Sequence, residues 1–331
     1  MQSVSLAFAR ALINSISNFD KRTLLRLENY VLSHGVEQVP MSELSQLFEL
    51  AIRHSGNEDL GLLAYKSAHP GHLGVLGYAV MSSSTLGEAM ARMVDHHSII
   101  GTGFCMFFEG DETTVRIAGL SGNAQGEVLP RAFIDAVAAI TLGLLRWLVP
   151  TVCITPVRAE FAYERPRDTR QLEQIFGHDL RFSCAANAMV FQKSDMDIAI
   201  ATSDASLQQI HDQYLKRRLD EMRSENIAAA TKKVILQHLV QARSLAMGDI
   251  VITLGMSTHQ LIRALEKENK SFQSLVDQVK KQHCYHLLVN TRLTLKQVSY
   301  SLGFRHSSAL NKACERWFGM APGACRSREK M

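Results

Sequence analysis

One pattern, written twice in the last hundred residues, constrains this chain more than any other feature. Ile250, Val251 and Leu254 make the apolar face of a short helix, Gly255 permits a sharp turn, and Ser257 is placed to cap a second helix burying Leu261 and Leu265. The pattern returns with Leu295, Val298 and Leu302, a turn at Gly303-Phe304, and a helix begun by Ser307 or Ser308 that buries Leu310, Ala313, Cys314 and Trp317. The turn glycines stand 48 residues apart. Between the two units, Phe272 to Val289 reads as one amphipathic helix through Leu275, Val276, Val279, Leu287 and Leu288. A rigid helix of that length can hold both units at a fixed separation. Recognition helices set ~34–36 Å apart on one face reach successive major grooves of B-DNA. The C-terminal region is therefore expected to be all-α, with two helix-turn-helix motifs joined by a long helix.

Charge agrees with this division. Residues 231–331 carry 16 Lys and Arg against 6 Asp and Glu, net +10; residues 1–204 carry 16 against 22, net −6; residues 205–230 hold four of each. A basic end on an acidic body points to a polyanion, here double-stranded DNA, although a solvated basic face would carry the same charge. We divide the chain into a sensor or dimerisation domain over 1–204, a helical linker over 205–230 and a DNA-binding domain over 231–331.

The first 204 residues change texture along their length. Residues 1–70 read mostly helical, with Leu24, Leu25, Leu27, Val31 and Leu32 at helical spacing and Ser42 placed to cap a helix carrying Leu44, Leu47, Phe48 and Ala51. Ser84 or Thr85 can cap a helix running toward Val94. Phe104 to Glu109 and Thr113 to Leu120 are β-prone runs joined across Gly110-Asp111-Glu112, which is hairpin chemistry. Val128 to Leu148 is expected to be a helix with Leu129, Phe133, Val137, Ile140, Leu144 and Leu148 on one stripe, ended by Pro150. A strand over Val157 to Tyr163, a short helix over Thr169 to Phe176 and a strand pair around Leu180–Ser183 and Ala188–Gln192 follow. Strand pairs separated by helices, without a repeating βαβ unit, predict an α+β domain with a mainly antiparallel sheet. In the linker, Leu207, Ile210, Tyr214, Leu215 and Leu219 form an apolar seam that either dimerises or packs on its own domain.

Other chemistry is thinly represented. The six cysteines stand apart with no CxxC and no zinc spacing, so they read as reduced, structural thiols, and no metal or cofactor is called for. His96-His97 lacks a partner cluster for a metal. Gly101-Thr-Gly103 lacks the third glycine and trailing helix of a phosphate loop. Cys105 is followed by strand and not helix, against a nucleophile elbow. The longest uncharged run, Ser67 to Gly87, is broken by Pro70, glycines and serines and cannot supply ~20 apolar residues for a membrane span. No basic residue precedes Arg10, against a secretory signal, so the chain is expected in the cytoplasm.

The stretches LGMSTHQLIRALEKENKSFQSLV and LTLKQVSYSLGFRHSSALNKACERWFGMAPGACR resemble the DNA-binding domain of the AraC/XylS family of bacterial transcription regulators. GVLGYAVMSSSTLGEAM (74–90) and FGHDLRFSCAANAMVFQ (176–192) are similar to the sensor half of a subgroup labelled arabinose-binding-like, a label that implies no sugar here. Leu310 and Cys314 stand where aromatic residues are common in the family, and Cys325 where a tyrosine usually precedes Arg326. The resemblance implies a homodimeric regulator that binds DNA, meets RNA polymerase if it activates, and responds to an effector in its first domain. With Leu261 and Leu265 facing inward, His259, Gln260, Ile262 and Arg263 point outward, and Ser307, Ser308, Asn311 and Lys312 play the same part in the second unit. By resemblance these match base- and phosphate-contacting positions, Ile262 offering apolar contact to a thymine methyl.

For an effector, the apolar stripe of the 128–148 helix and the hairpin bearing Phe104 to Phe108 are the surfaces to watch. A cleft between them would suit a small, mainly apolar ligand. Phe104, Phe107 and Phe133 are its candidate lining, and Arg116 and Arg131 the candidates for its polar end. Two rivals stand beside this reading. One is a regulator without ligand, whose first domain only dimerises or docks a protein. The other is an enzyme tethered to a DNA-binding module, which needs a nucleophile, base and orienter that residues 1–204 do not present.

Overall fold

A five-stranded sheet and one long buried helix organise the first two thirds of the chain, and helices alone build the rest. The computed structural model describes residues 3–16, 25–26, 28–31, 38–102, 104–121, 129–304 and 306–328. The chain divides into two compact units, the first reaching Leu219 without Ser183–Ala185, and the second made of Asp220 onward together with Ser183–Ala185.

The entry to the first unit is helical, with a small addition. β1 (Ser3–Ser5) pairs antiparallel with β2 (Gln38–Pro40), and they flank α1 (Leu6–Ile16) and α2 (Met41–Ser55). Helix α2 starts directly after Pro40, whose φ of −58° leads the chain into it, so Ser42 lies inside the helix and does not cap it. Leu24, Leu27 and Leu32 lie outside the described residues; Val31 is buried and Leu25 exposed. α3 (Val75–Met81) and α4 (Leu86–His96) follow, the latter capped by the Thr85 hydroxyl accepting from the Glu88 N–H.

The hairpin β3 (Phe104–Gly110) and β4 (Thr114–Ser121) is set by its turn. The Asp111 carboxylate accepts from the Thr113 and Thr114 N–H groups at 2.8 and 2.7 Å, and these bonds hold its carboxyl down to about 2. β4 then pairs antiparallel with β7 (Asn187–Gln192), β7 with β5 (Arg158–Glu160), and β5 lies parallel to β6 (Leu180–Arg181). The sheet order is β3-β4-β7-β5-β6, mainly antiparallel as expected. The expected pairing of the 180–183 and 188–192 runs is corrected, because β5 is inserted between them. β5 is also shorter than 157–163: the Ala162 N–H bonds to the Asn187 side chain, and Phe161 stacks on both Tyr163 and Phe182 where the ladder would have continued.

Across one face of the sheet lies α5 (Arg131–Leu148). One apolar stripe was expected; instead the helix is buried around nearly its whole circumference, down to Asp135, Thr141 and Gly143. Its other side packs on a 3-10 segment (Leu60–Ser67) at backbone distance. A Cβ on Gly61 would stand 1.9 Å from the Ala132 carbonyl oxygen, and one on Gly143 2.5 Å from the Ala68 Cβ. Only glycine permits this approach. α6 (Arg170–Phe176) closes at Gly177, and α7 (Ala205–Glu225) leads out of the unit.

The second unit is all helix: α8 (Ile227–Val240), α9 (Met247–Leu254), α10 (Thr258–Lys267), α11 (Phe272–Asn290), α12 (Leu295–Ser301), α13 (Ser307–Phe318) and α14 (Pro322–Arg328). Its core gathers Ile250, Leu254, Leu261 and Leu265 of the first motif, Leu275, Val279 and Leu287 of the long helix, and Val298, Leu302, Leu310 and Cys314 of the second.

Candidate nucleic-acid interface and sensor cavity

The two turns are the same structure. Gly255 and Gly303 take φ of 66° and 69°. The Gly255 N–H bonds to Ile252 and the Met256 N–H to Val251; 48 residues on, the Gly303 N–H bonds to Tyr300 and the Phe304 N–H to Ser299, all at 2.9–3.0 Å. Each closes a first helix, α9 or α12, and releases the chain toward a recognition helix, α10 or α13. Capping boxes fix the starts of α10 (Ser257 with Gln260), α11 (Ser271 with Ser274) and α12 (Thr294 with Gln297).

All eight residues expected to face DNA are exposed: His259, Gln260, Ile262 and Arg263 on α10, and Ser307, Ser308, Asn311 and Lys312 on α13. Their correspondence is shifted by one residue relative to the turns. Buried Leu261 and Leu265 match buried Leu310 and Cys314, so Ile262 answers to Asn311, Arg263 to Lys312, and His259 to Ser308. Ser307 then answers to Thr258, an exposed residue that the sequence reading passed over, although the distance from turn glycine to first buried leucine, one residue longer in the second motif, carries the signal. Gln260 has a second duty: its Oε1 accepts from the Ser257 N–H at 2.8 Å, so its side chain holds the helix start.

The second motif is braced on the long helix. The Trp317 indole N–H donates to Asp277 Oδ2 at 3.0 Å, the neighbouring Arg316 pairs with the same carboxylate, and the ring lies 6.3 Å from Phe304. Cys284 and Cys314 meet with their sulfurs 3.6 Å apart, both free and buried.

In the first unit a cavity lies between the sheet and α5. Its empty space is about 700 Å³, open mouth included, walled by Phe104, Phe133, Val137, Phe161 and Met189 and touched by the polar residues Thr141, Glu160 and Asn187. Of the five residues expected there, Phe104 and Phe133 line it; Phe107, Arg116 and Arg131 do not. Phe107 and Arg116 point to the other sheet face, since successive strand residues alternate and Met106, Gly119 and Ile117 hold the cavity side. Arg116 binds Glu160 at 2.9 Å and Glu109 at 3.3 Å.

Arg131 belongs to a separate buried network. It pairs with Asp59 at 2.5 Å and stands 3.1 Å from Asp135 Oδ2, poorly aligned for a hydrogen bond, with its guanidinium over the Tyr163 ring. Tyr163 donates to the other Asp135 oxygen at 2.5 Å. Burial pushes the Asp135 carboxyl up to about 7, the nearby Arg131 charge and the Tyr163 hydroxyl opposing this incompletely.

The cavity wall is tied to the outgoing helix. His97, fully buried, stacks on Phe104 with centroids 5.8 Å apart; its Nδ1 lies 2.6 Å from the Val94 carbonyl, and its Nε2 accepts from the Met106 N–H at 3.3 Å. Upstream on α4, Arg92 forks onto Asp212 of α7 at 2.7 and 3.0 Å, while Ser82 meets His211 at 3.1 Å. The seam on α7 is divided: Leu215 is buried, whereas Leu207, Ile210 and Tyr214 are 47%, 60% and 42% exposed.

Two matched helix-turn-helix units on one helix, in a chain that also carries an α+β unit with a cavity, define a DNA-binding regulator. The chain belongs to the AraC family of transcription regulators: residues 26–200 match the arabinose-binding domain of AraC transcription regulators, N-terminal, and residues 250–328 a helix-turn-helix domain. It is 23% identical to the ornithine utilization regulator of Pseudomonas aeruginosa over 98% of this chain and 96% of that one. It is 25% identical to an uncharacterised HTH-type transcriptional regulator of Mycobacterium tuberculosis over 76% and 73%. The crystal structure of the transcriptional regulator CdpR from Pseudomonas aeruginosa aligns over 93% of this chain and 98% of its own, at 20% identity and a TM-score of 0.44. No described helix is long and apolar enough to cross a membrane.

Proposed function

We propose that this regulator reads an operator with both motifs, His259, Ile262 and Arg263 of α10 and Ser308, Asn311 and Lys312 of α13 meeting bases, and Gln260 and Ser307 setting the helix ends against the backbone. The observation that carries this reading is the exposure of both recognition faces while Leu261, Leu265, Leu310 and Cys314 anchor the opposite sides. The division at 1–204, 205–230 and 231–331 assigns sensing, linkage and DNA binding, and a small, mainly apolar effector acts in the first part. The effector shifts an equilibrium between arrangements of unequal DNA affinity, which requires that it bind them unequally. The exposed face of Leu207, Ile210 and Tyr214 favours a homodimer in the cytoplasm, with RNA polymerase as a further partner if the protein activates; no catalysis is assigned.

Arg263→Ala tests the interface. It is expected to weaken binding to a selected operator by about 1–3 kcal/mol and binding to random duplex very little, measured at matched salt. Equal losses on the two DNAs would demote Arg263 to a phosphate contact.

A further inference from the structure

The cavity in the first unit is chemically selective in a way that neither its fold nor its relatives specify. Among the described residues no arginine or lysine enters its lining, and the one acidic residue there, Glu160, shares the strand parity of Arg116 and turns its carboxylate to the far sheet face, where Arg158 at 2.8 Å and Arg116 at 2.9 Å hold it. An ionised ligand group would therefore lose its hydration without gaining a counter-charge, which is strongly unfavourable.

The lining nevertheless holds one polar side chain with donors to spare. A backbone N–H can only donate, so the Asn187 atom that meets the Ala162 N–H at 2.9 Å is its oxygen. That fixes the amide the other way round, with the Nδ2 donors on the residue paired across the ladder with Gly119, and without a partner among the described residues. Thr141 offers no further donor, because its hydroxyl donates to the Val137 carbonyl at 2.7 Å. Gly119 supplies the room: a Cβ there would meet nothing within 4 Å.

We infer that the cavity takes an uncharged, largely apolar molecule bearing a carbonyl-type acceptor, such as an ester, ketone or amide, with the acceptor on Asn187 Nδ2 and the apolar body over Gly119. This rests on the effector reading above and specifies its ligand class. It also replaces the cationic polar end expected from Arg116 and Arg131 by a neutral one.

Calorimetric titration of the full chain with methyl octanoate, octanoate and octylammonium tests it. The ester is expected to bind and both ions to bind at least roughly tenfold more weakly, because only they must lose a charged group's hydration. Asn187→Leu should weaken the ester about five- to tenfold by removing the donor. Gly119→Leu should abolish ester binding by filling the space; should that variant not fold, Gly119→Ala is expected to weaken the ester several-fold. Octanoate binding as tightly as the ester, ester binding indifferent to the Gly119 variants, or binding of none of the three overturns the ligand class. Operator affinity of Gly119→Leu separates that failure from failure of the effector reading: a change from wild type leaves a cavity that communicates with DNA, and no change removes it.

Discussion

Asp135 and Gln260 show how one residue's neighbours decide its chemistry. The Asp135 carboxyl is fully buried beside one arginine that Asp59 also engages, so its charged form is undersupported. Its value in the folded chain, about 7, lies above the unfolded value near 4. The stability it permits is accordingly whole below about pH 4 and declines as pH rises through about 7, by on the order of a few kcal/mol. Asp135→Asn keeps an acceptor for Tyr163 without the charge. Its unfolding free energy is expected to gain on wild type steadily from pH 4 to pH 7 in urea titrations; parallel curves would refute the assignment. At Gln260 the capping bond predicts a different signature from Arg263: Gln260→Ala should lower the stability of the DNA-binding unit by up to about 1 kcal/mol, measured by thermal unfolding, as well as changing DNA affinity.

Elements are positioned here by close approach as much as by apolar patterning. α5 is held between the sheet and the 3-10 segment because Gly61 lets the backbones touch. Gly61→Val forces that contact apart and is expected to destabilise the first unit by about 1–3 kcal/mol or more, with little effect on the second unit's unfolding. A single transition shifted as a whole would show that the two units unfold together. For the second recognition helix, Trp317 fills the core and its indole donates to Asp277. Trp317→Ala is expected to cost about 3–5 kcal/mol by leaving a cavity and removing one of the two donors to the Asp277 carboxylate, which Arg316 still pairs. Unchanged stability would mean that α13 is not braced by this residue.

Over the whole molecule, the two units answer to pH in opposite senses. Whereas Asp135 weakens the first unit as pH rises, His283 weakens the second as pH falls: burial, helped by the neighbouring His286, pushes it down to about 3, below the unfolded value near 6.5. Its stabilising neutrality is whole above about pH 6.5 and is lost progressively toward pH 3. Hydrogen exchange of the full chain at pH 5 is expected to show helix α11 opening more readily than at pH 7.5, and His283→Leu should flatten that difference. Equal protection at both pH values in the wild type would remove His283 as the cause.

The sequence by itself determined whatever depends on neighbours along the chain. The repeated glycine turns, the cap at Ser257, the choice of Ser84 or Thr85 to begin α4, the hairpin closed at Asp111 and the outward set on each recognition helix all follow from spacings of a few residues, where periodicity and turn chemistry act locally. What it left open depends on partners far away in sequence. β5 enters between β7 and β6 because non-adjacent segments compete for the same ladder, and α5 is buried all round because Gly61, some seventy residues earlier, meets it at Ala132. Arg131 leaves the cavity for the same reason, since the Asp59 carboxylate claims it across the fold. Only the packed structure decides which charges find each other, because an ion pair is worth most where tertiary contacts exclude water, and no local pattern encodes that exclusion.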